Sequence, residues 1–295
     1  MGSLRLRGIL FWACLLLLCH PPPAGSQEVR LALEAPEMRA HAAWIQPFAV
    51  GRSVQGRPLE GVHIGASGPA LVVLGCIHGN EANTETLVRR LQEAFVFNPE
   101  PVQHAALYFV PLVNPDGRAA GTRSNARGVD LNRNWPTDDW KADAATSGGI
   151  REGAGGSEPA SEPEVAALVE WIEDGLVPRH EPLWLLSYHS AYPPRGAVQG
   201  GYRVQGRPTP GAESLAQLVA DRIGSTYIEA WPGEHALTGE LIHWCAVRGI
   251  TAADIELPSR EEPERIQTAG GRPLVEVHYA MLLELLRILA SEVAR

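Results

Sequence analysis

Two short segments of the chain place typical metal-ligand residues beside apolar runs that have the length of β-strands. In residues 76–81, Cys-Ile-His-Gly-Asn-Glu, His78 and Glu81 stand three positions apart. His189 directly follows the apolar run 183–188. Imidazole and carboxylate groups suit Zn²⁺, and a catalytic zinc takes three protein ligands and a water molecule. Taken alone, each segment is also compatible with a surface pair or a buried structural histidine.

A polar segment between these sites, residues 122–136, concentrates side chains that can bind anions. Its sequence is Thr-Arg-Ser-Asn-Ala-Arg-Gly-Val-Asp-Leu-Asn-Arg-Asn-Trp-Pro, and the turn signal Asn-Pro-Asp-Gly precedes it at residues 114–117. Arginine binds carboxylates through two parallel hydrogen bonds. A solvated loop does not explain why so much hydrogen-bonding capacity is concentrated here.

Apolar runs and helical periodicities alternate along the chain and must position these residues. Five apolar runs have the length and flanks of strands: 59–64, 70–75, 105–110, 183–188 and 250–255. Helices are predicted after Asn83, after Ser161 in a capping box with Glu164, and from Pro273 onward. Residues 144–160, rich in Gly, Ala and Ser, are predicted to form a surface loop. The alternation predicts an α/β fold with a mostly parallel mixed β-sheet sandwiched between helices.

The N-terminal residues 1–26 have the features of a secretory signal peptide. Two arginines precede an apolar run of eleven residues, Ile9 to Cys19, and small residues precede Gln27. A transmembrane helix needs about 20 residues, so an uncleaved membrane anchor is the less favoured alternative. We expect one catalytic domain over residues 27–295, secreted or periplasmic, with no stable membrane association once the leader is cleaved.

The composition argues against a nucleic-acid partner. The 295-residue chain has 25 basic and 34 acidic side chains, which give a formal net charge of −9. Nucleic-acid binding requires clustered Lys and Arg, and the sequence has no basic run. Cys76 and Cys245 remain after removal of the leader. Export permits a disulfide between them, their apolar surroundings suit buried free thiols, and the sequence does not decide between the two.

Taken together, these motifs resemble the M14 family of zinc carboxypeptidases in order and in rough spacing. The matching elements are His78-x-x-Glu81, Asn-Pro-Asp-Gly at 114–117, Gly-Val-Asp-Leu-Asn-Arg-Asn at 128–134, Tyr-His-Ser around His189, and Ile-Glu-Leu at 255–257. Residues 122–126, 156–159, Trp231-Pro-Gly and Trp244-Cys are most similar to the murein peptide amidase branch of the family. The resemblance covers about residues 45–290.

The resemblance implies a metal site and a general base. His78, Glu81 and His189 would bind one Zn²⁺ per chain. Glu256 would be the general base and acid, because a carboxylate can take a proton from water and pass it to the leaving amine. The alternative for Glu256 is a solvated acidic face, although its apolar neighbours argue against that interpretation.

The resemblance also implies an anion-binding part of the site. Arg123 would polarise the scissile carbonyl and stabilise the oxyanion. Asn132 and Arg133 would hold the terminal carboxylate of a short peptide, which makes the enzyme an exopeptidase. Asp130, beside this clamp, could orient a ligand histidine, as carboxylates often do.

Recognition of the substrate side chain is less defined by the sequence. Tyr227 and His235 are the candidates for the mobile tyrosine of the family, and His235 is nearer the expected spacing. Glu240 or Asp254 could attract a positive group on the substrate, such as the amine of diaminopimelate, Lys or Arg.

The predicted activity is that of a zinc-dependent metallocarboxypeptidase that hydrolyses the C-terminal peptide or amide bond of short peptides. The murein branch suggests γ-D-glutamyl-diaminopimelate peptides as substrates. One alternative is an N-acyl amino acid deacylase of the aspartoacylase and desuccinylase type, which shares the His-x-x-Glu and Asp-Leu-Asn-Arg segments. The Asn-Pro-Asp-Gly turn and the leader argue against it. The other alternative is a non-catalytic binding protein on the same fold, although all the expected ligands and the general base are present.

Overall fold

A mixed eight-stranded β-sheet lies at the centre of the computed structural model, which describes residues 44–65, 67–99, 102–146, 148–268 and 270–292. The predicted leader, residues 1–26, lies outside these residues. The strands are β1 (Ile45–Arg52), β2 (Pro58–Gly65), β3 (Ala70–Leu74), β4 (Ala106–Val110), β5 (Ala144–Thr146), β6 (Gly149–Arg151), β7 (Leu183–Ser190), β8 (Ala197–Gly200), β9 (Tyr202–Val204), β10 (Arg207–Pro208), β11 (Thr226–Ile228) and β12 (Thr251–Leu257). The central sheet has the order β1-β2-β4-β3-β7-β12-β8-β11, while β5 pairs with β6 and β9 with β10.

Helices cover both faces of this sheet. The α-helices of the described residues are α1 (Ala82–Phe97), α2 (Pro115–Ala120), α3 (Pro163–Glu170), α4 (Pro210–Ile223), α5 (Leu241–Val247) and α6 (Leu274–Glu292). A π-helical turn, Trp171–Leu176, continues α3, and short 3₁₀ turns cover Leu131–Arg133 and Pro263–Arg265. Within the described ranges, no helix combines the length and the hydropathy that crossing a bilayer would require.

Successive residues of the buried strands face opposite helical layers. Leu71 and Val73 of β3 belong to the same buried cluster as apolar side chains of α1, α4 and α6. Val72 and Leu74 face the other cluster, which includes side chains of α3 and α5. Both faces of the strand are therefore buried, which explains why β3 is a continuous apolar run and does not alternate with polar residues.

The parallel strands bring distant parts of the sequence to one edge of the sheet. β3 is parallel to β4 and to β7, and β7 is parallel to β12. The carboxyl ends of β3, β7 and β12 therefore lie side by side, which is where open α/β sheets bind ligands. The predicted fold class, a mostly parallel mixed sheet between helices, is confirmed. Cys76 and Cys245, whose pairing the sequence left open, are buried free thiols.

The predicted helix caps at Asn83 and Ser161 are wrong. α1 begins at Ala82, so Asn83 lies inside the helix, where its amide donates to Ser259 O (2.9 Å). α3 begins at Pro163 after Glu162. The Ser161 hydroxyl instead accepts a hydrogen bond from Asn134 at 3.0 Å. Both residues bind groups distant in sequence, and local spacing does not reveal such tertiary contacts.

The predictions for two other regions are also corrected. Residues 144–160 are not wholly a surface loop, because β5 and β6 form a hairpin there and Ala145 is buried. β1 was not predicted, since it is a half-exposed edge strand of mixed polarity and not an apolar run. α6 begins at Leu274, one residue after the predicted start.

Candidate active site

Three potential metal ligands converge at the carboxyl ends of β3 and β7. His78 lies in the loop after β3, Glu81 directly precedes α1, and His189 is the penultimate residue of β7. His78 Nδ1 lies 3.0 Å from Glu81 Oε1 and 3.2 Å from His189 Nδ1. The distance from His189 Nδ1 to Glu81 Oε2 is 3.5 Å. All three side chains are buried, so three ligand atoms face one another away from solvent.

The geometry of this triad fits a zinc ion. The other ring nitrogens have hydrogen-bond acceptors: Nε2 of His78 faces Asp130 Oδ1 at 3.1 Å, and Nε2 of His189 faces Ser187 Oγ at 3.0 Å. With a proton on each Nε2, both Nδ1 atoms present lone pairs to each other and to Glu81. Two ligands of a tetrahedral zinc lie roughly 3.4 Å apart, because each is about 2.1 Å from the metal. The observed separations of 3.0 to 3.5 Å match that value.

The electrostatics of the triad also favour a cation. Burial alone would raise the pKa of Glu81, but the neighbouring His78 and His189 hold this pKa well below its usual range. Burial likewise opposes protonation of His189, yet Asp254 and Glu81 raise the pKa of this imidazole well above its usual value. Negative charge therefore surrounds the histidines, and a bound divalent ion would compensate it.

Asp130 connects the ligand His78 to Arg123. Its carboxylate is fully buried and accepts from His78 Nε2, from the backbone amide of Asn132 (3.0 Å) and from Arg123 Nε (2.7 Å). Burial would raise the pKa of Asp130, but Arg123 and His78 lower it well below the usual value. One ionised carboxylate therefore fixes the orientation of both the ligand imidazole and the guanidinium.

Glu256 lies beside the triad because of the strand register. In the parallel pair of β12 and β7, Glu256 is opposite His189. Burial raises the pKa of Glu256 to about 7. A carboxyl group with that pKa can accept a proton and release it again at neutral pH, which is the requirement for a general base that later acts as an acid.

A cavity of about 320 Å³ opens next to these groups. Of the residues predicted for the site, Glu81, Asp130 and Tyr227 do not line it, and the others do. The rim includes the hairpin of β5 and β6 and residues 231–235. The sequence-predicted residues are therefore brought to one place from six separate parts of the chain, although the cavity by itself does not assign a role to any of them.

The predicted carboxylate clamp is partly occupied by the protein itself. Arg133 is buried, and its Nε donates to Ala145 O at 2.6 Å. Its Nη1 donates to Asn132 O at 2.6 Å and to Glu240 Oε1 at 3.1 Å. Within the described residues, Nη2 of Arg133 makes no hydrogen bond. One edge of the guanidinium is therefore held by the fold, and the other edge is free to bind an anion.

Comparison with known proteins assigns the family. Residues 37–226 match the model of the zinc carboxypeptidase family of M14 peptidases. The chain belongs to the M14 family of zinc carboxypeptidases. This family is zinc-dependent, and membership indicates that the protein is a hydrolase.

The M14 relatives include murein peptide amidases. The chain is 32% identical over 188 residues to murein peptide amidase A of Escherichia coli K12. This alignment covers 59% of the present chain and 73% of the relative. The chain is 26% identical over 248 residues to the Vibrio campbellii murein peptide amidase A, which covers 80% and 88%. Both alignments span more than two thirds of the relative.

Solved structures share the fold. The murein-tripeptide amidase of Escherichia coli O157 superposes with a TM-score of 0.59 at 24% identity, over 82% of this chain and 91% of that one. Bovine thrombin-activatable fibrinolysis inhibitor, in complex with tick carboxypeptidase inhibitor, gives a TM-score of 0.68 at 16% identity, over 91% and 98%. At these identities the likeness concerns the fold alone.

The two candidates for the mobile tyrosine of the M14 family lie in different places. His235 is exposed at the cavity rim. Tyr227 lies on β11 and does not line the cavity, and its buried hydroxyl makes no hydrogen bond with the described residues. The geometry therefore favours His235 for contact with a substrate.

A second group of potential ligands, Asp138, Asp139 and His243, fits a metal less well. Asp138 Oδ1 approaches Nε2 of His243 (3.2 Å), whereas Asp139 Oδ2 approaches Nδ1 (3.1 Å). The two carboxylates lie on opposite nitrogens of one ring, and the side chain of Asp138 is 84% exposed. This arrangement suits an imidazolium ion between two carboxylates better than a shared cation.

Ser187 and Tyr202 are site residues that sequence reasoning missed. Ser187 contacts His189 Nε2 from two positions earlier on β7, and it therefore points to the same face of the sheet. That spacing was a usable signal. The Tyr202 hydroxyl donates to Glu240, and no sequence pattern indicates that contact.

Proposed function

We propose that this M14 protein is a zinc-dependent carboxypeptidase that releases the C-terminal residue of short peptides. The observation that carries the proposal is the arrangement of His78, Glu81 and His189 beside Glu256 at one cavity: the two Nδ1 atoms lie 3.2 Å apart, and each is 3.0 to 3.5 Å from one oxygen of Glu81. A cavity of about 320 Å³ is at the small end of ligand sites, which suits the end of a peptide better than a folded chain.

The hydrolytic step uses Glu256 as the proton carrier. A zinc ion held by the triad would polarise the scissile carbonyl and acidify a water molecule. Glu256 takes a proton as the water attacks and passes it to the nitrogen of the leaving amine. Its pKa of about 7 suits both directions of transfer at neutral pH.

Arg123 stabilises the negative charge that develops on the carbonyl oxygen. Its Nε is fixed by Asp130, while its Nη1 lies 3.5 Å from Glu81 Oε1, so the guanidinium is aimed at the metal site before substrate binds. The side chain keeps 23% exposure and lines the cavity, which leaves it accessible to substrate. A preorganised donor of this kind typically contributes about 10²–10³-fold to kcat.

Arg133 and Asn132 bind the terminal carboxylate of the peptide. The free edge of the Arg133 guanidinium supplies charge-assisted hydrogen bonds. Asn132 accepts from the Leu241 amide through Oδ1 (2.9 Å), which fixes the orientation of its side chain. A free carboxylate lies one residue from the scissile bond only at the C-terminus of a peptide. This clamp therefore limits cleavage to the last residue.

The murein peptide amidase relatives and the N-terminal sequence extend the proposal. The first support γ-D-glutamyl-diaminopimelate peptides as substrates. The second, in residues 1–26, supports export to the periplasm or the medium. Intact mass of the protein recovered from the producing cells should correspond to a chain that begins at Gln27, whereas retention of residues 1–26 in all of the protein would refute cleavage at that site.

The direct test is incubation of zinc-loaded protein with three substrate classes, with products identified by mass spectrometry. These are L-Ala-γ-D-Glu-diaminopimelate, N-acylated dipeptides with free C-termini, and simple N-acyl amino acids. We expect release of the C-terminal residue from one or both peptide classes and little cleavage of matched C-terminal amides. Cleavage of acyl amino acids alone would indicate a deacylase. Absence of all cleavage with zinc bound would indicate a binding protein.

A further inference from the structure

A buried asparagine lies in the first turn of α1, on the side of the helix that faces the sheet. Asn83 is 2% exposed, and Leu87, four residues later on the same side, is fully buried in the apolar cluster against β3. An unpaired amide is costly in such surroundings, so its polar atoms need partners. Its Oδ1 accepts from the Ser190 hydroxyl (2.8 Å), and its Nδ2 donates to Ser259 O (2.9 Å). Both partners belong to other elements of the fold.

The first partner belongs to the strand that carries His189. Ser190 is the last residue of β7 and directly follows this ligand. Its backbone amide donates to Glu81 Oε2 at 3.2 Å, while its hydroxyl donates to Asn83. Since Glu81 and Asn83 are two residues apart, the end of β7 contacts the start of α1 at two points. These two hydrogen bonds fix the position of Glu81 relative to His189.

The second partner of Asn83 follows the proposed general base. Ser259 lies three residues after Glu256 and two residues beyond the end of β12. Its carbonyl oxygen accepts from Asn83 Nδ2, so the amide also attaches the segment that leaves β12 to the start of α1. One side chain thus links the elements that carry two metal ligands and the base, and it acts on these groups through their neighbours in the chain.

We propose that Asn83 is a positioning residue, which holds the ligand pair Glu81 and His189 at a fixed distance from the general base. This inference rests on the proposed carboxypeptidase function. A shift of about 1 Å between reacting groups can cost about 100-fold in rate, so loss of Asn83 should lower kcat. The substrate carboxylate binds to Arg133, whose hydrogen-bond partners lie at β5, the 3₁₀ turn and the start of α5. The KM should therefore change little.

The competing explanation is that these hydrogen bonds only stabilise the fold. Tyr188→Phe is the matched control, because Tyr188 points to the same face of β7 as Ser190. Its buried hydroxyl contacts His278 Nδ1 of α6 at 2.9 Å. Y188F therefore removes a buried hydrogen bond from the same strand, but one that is directed to α6. We expect Y188F to lower the Tm and to keep zinc affinity and kcat at their wild-type values.

Two variants separate the contacts of Asn83. Ser190→Ala removes the hydroxyl and keeps the backbone amide that donates to Glu81, so it breaks the link to β7 alone. Zinc affinity should fall by about 2- to 10-fold, as for one neutral hydrogen bond, and kcat of the zinc-saturated enzyme should stay at the wild-type value. Asn83→Leu has a similar branched shape without polar atoms and breaks both links. It should show the same loss of zinc affinity and, in addition, a kcat about 10- to 100-fold lower at unchanged KM.

The double variant tests whether Asn83 acts on the metal site through Ser190. If it does, S190A should cause no further loss of zinc affinity in the N83L background. An equal additional loss would overturn that link. A folded N83L with wild-type kcat, or with a higher KM in place of a lower kcat, would overturn the positioning role. Unchanged zinc affinity in S190A would also overturn the inference, and this variant keeps Asn83 in place should N83L not fold.

Zinc affinity distinguishes this inference from the proposed function. It is measured by competition with a chelator and requires no substrate. Affinities that fall in S190A and N83L but not in Y188F would support the role of Asn83 in the metal site even if the wild type cleaved no peptide. Peptide cleavage by the wild type with the same kcat in N83L would refute the role of Asn83 and leave the carboxypeptidase assignment intact.

Discussion

Replacing Asp130 with asparagine tests how the fold holds the ligand His78. The carboxylate accepts from His78 Nε2 at 3.1 Å and from Arg123 Nε at 2.7 Å. In D130N, the amide oxygen can still accept on one side, but the NH₂ group cannot accept from the donor on the other side, and the negative charge that both donors face is lost. Hydrogen bonds to charged groups contribute about 1.5–3 kcal/mol, so zinc affinity should fall by about 10- to 150-fold. A chelator competition assay with a metal-sensitive dye measures that affinity directly.

Ser187→Ala is the matched comparison on the other histidine. The Ser187 hydroxyl contacts His189 Nε2 at 3.0 Å, but it is neutral. Loss of a neutral hydrogen bond costs about 0.5–1.5 kcal/mol, which corresponds to about 2- to 10-fold in zinc affinity. Zinc affinity should therefore decrease in the order wild type, S187A, D130N. Unfolding curves check that both variants fold. If a folded D130N bound zinc within twofold of wild type, the reasoning on Asp130 would be refuted.

Three further predictions address catalysis, pH and packing. Glu256→Gln should lower kcat by about 10²–10⁴-fold while zinc content stays unchanged, and near-normal turnover would contradict its role as the base. The carboxylate of Asp139, 3.1 Å from Nδ1, raises the pKa of His243, so this pair stabilises the fold below about pH 6.5, and the stabilisation is lost as the pH rises through the raised pKa. Asp139→Asn should therefore lower the Tm more at pH 5.5 than at pH 9, with an effect of at most about 1 kcal/mol, and a pH-independent difference would contradict the assignment. Gly79→Ala should lower the Tm by about 2–12 °C, because its Cβ would lie 2.0 Å from the carbonyl carbon of Gly117; an unchanged Tm would show that this contact can relax.

The sequence could predict the central strands because they are buried on both faces. Residues 70–75 form an apolar run and residues 183–188 are apolar apart from Ser187, and they give β3 and most of β7. The edge strand β1 and the hairpin of β5 and β6 lack that signal, because partial exposure tolerates polar and small residues. The spatial order of the strands follows from tertiary packing and is not encoded in any local pattern.

For the site, residue types and motif order were informative where the chemistry depends on one side chain. His78 and His189 were selected as ligands from positions 111 residues apart, and the structure brings their Nδ1 atoms within 3.2 Å. The ion pair between Arg133 and Glu240 could not be predicted, because it depends on how the start of α5 packs against the 3₁₀ turn Leu131–Arg133. The sequence likewise could not predict that one carboxylate oxygen of Asp254 has no hydrogen-bond partner, because this depends on the tertiary contacts around His189.

We expect His78, Glu81 and His189 to bind one zinc ion. Crystals of the purified protein should show, at the zinc absorption edge, an anomalous peak between these three side chains, with ligand distances of about 2.0–2.2 Å. The group of Asp138, Asp139 and His243 serves as an internal comparison, because it is the other candidate among the described residues. A peak at the first group would support zinc binding by His78, Glu81 and His189. A zinc-supplemented crystal with no peak there, or with zinc at the second group alone, would contradict it.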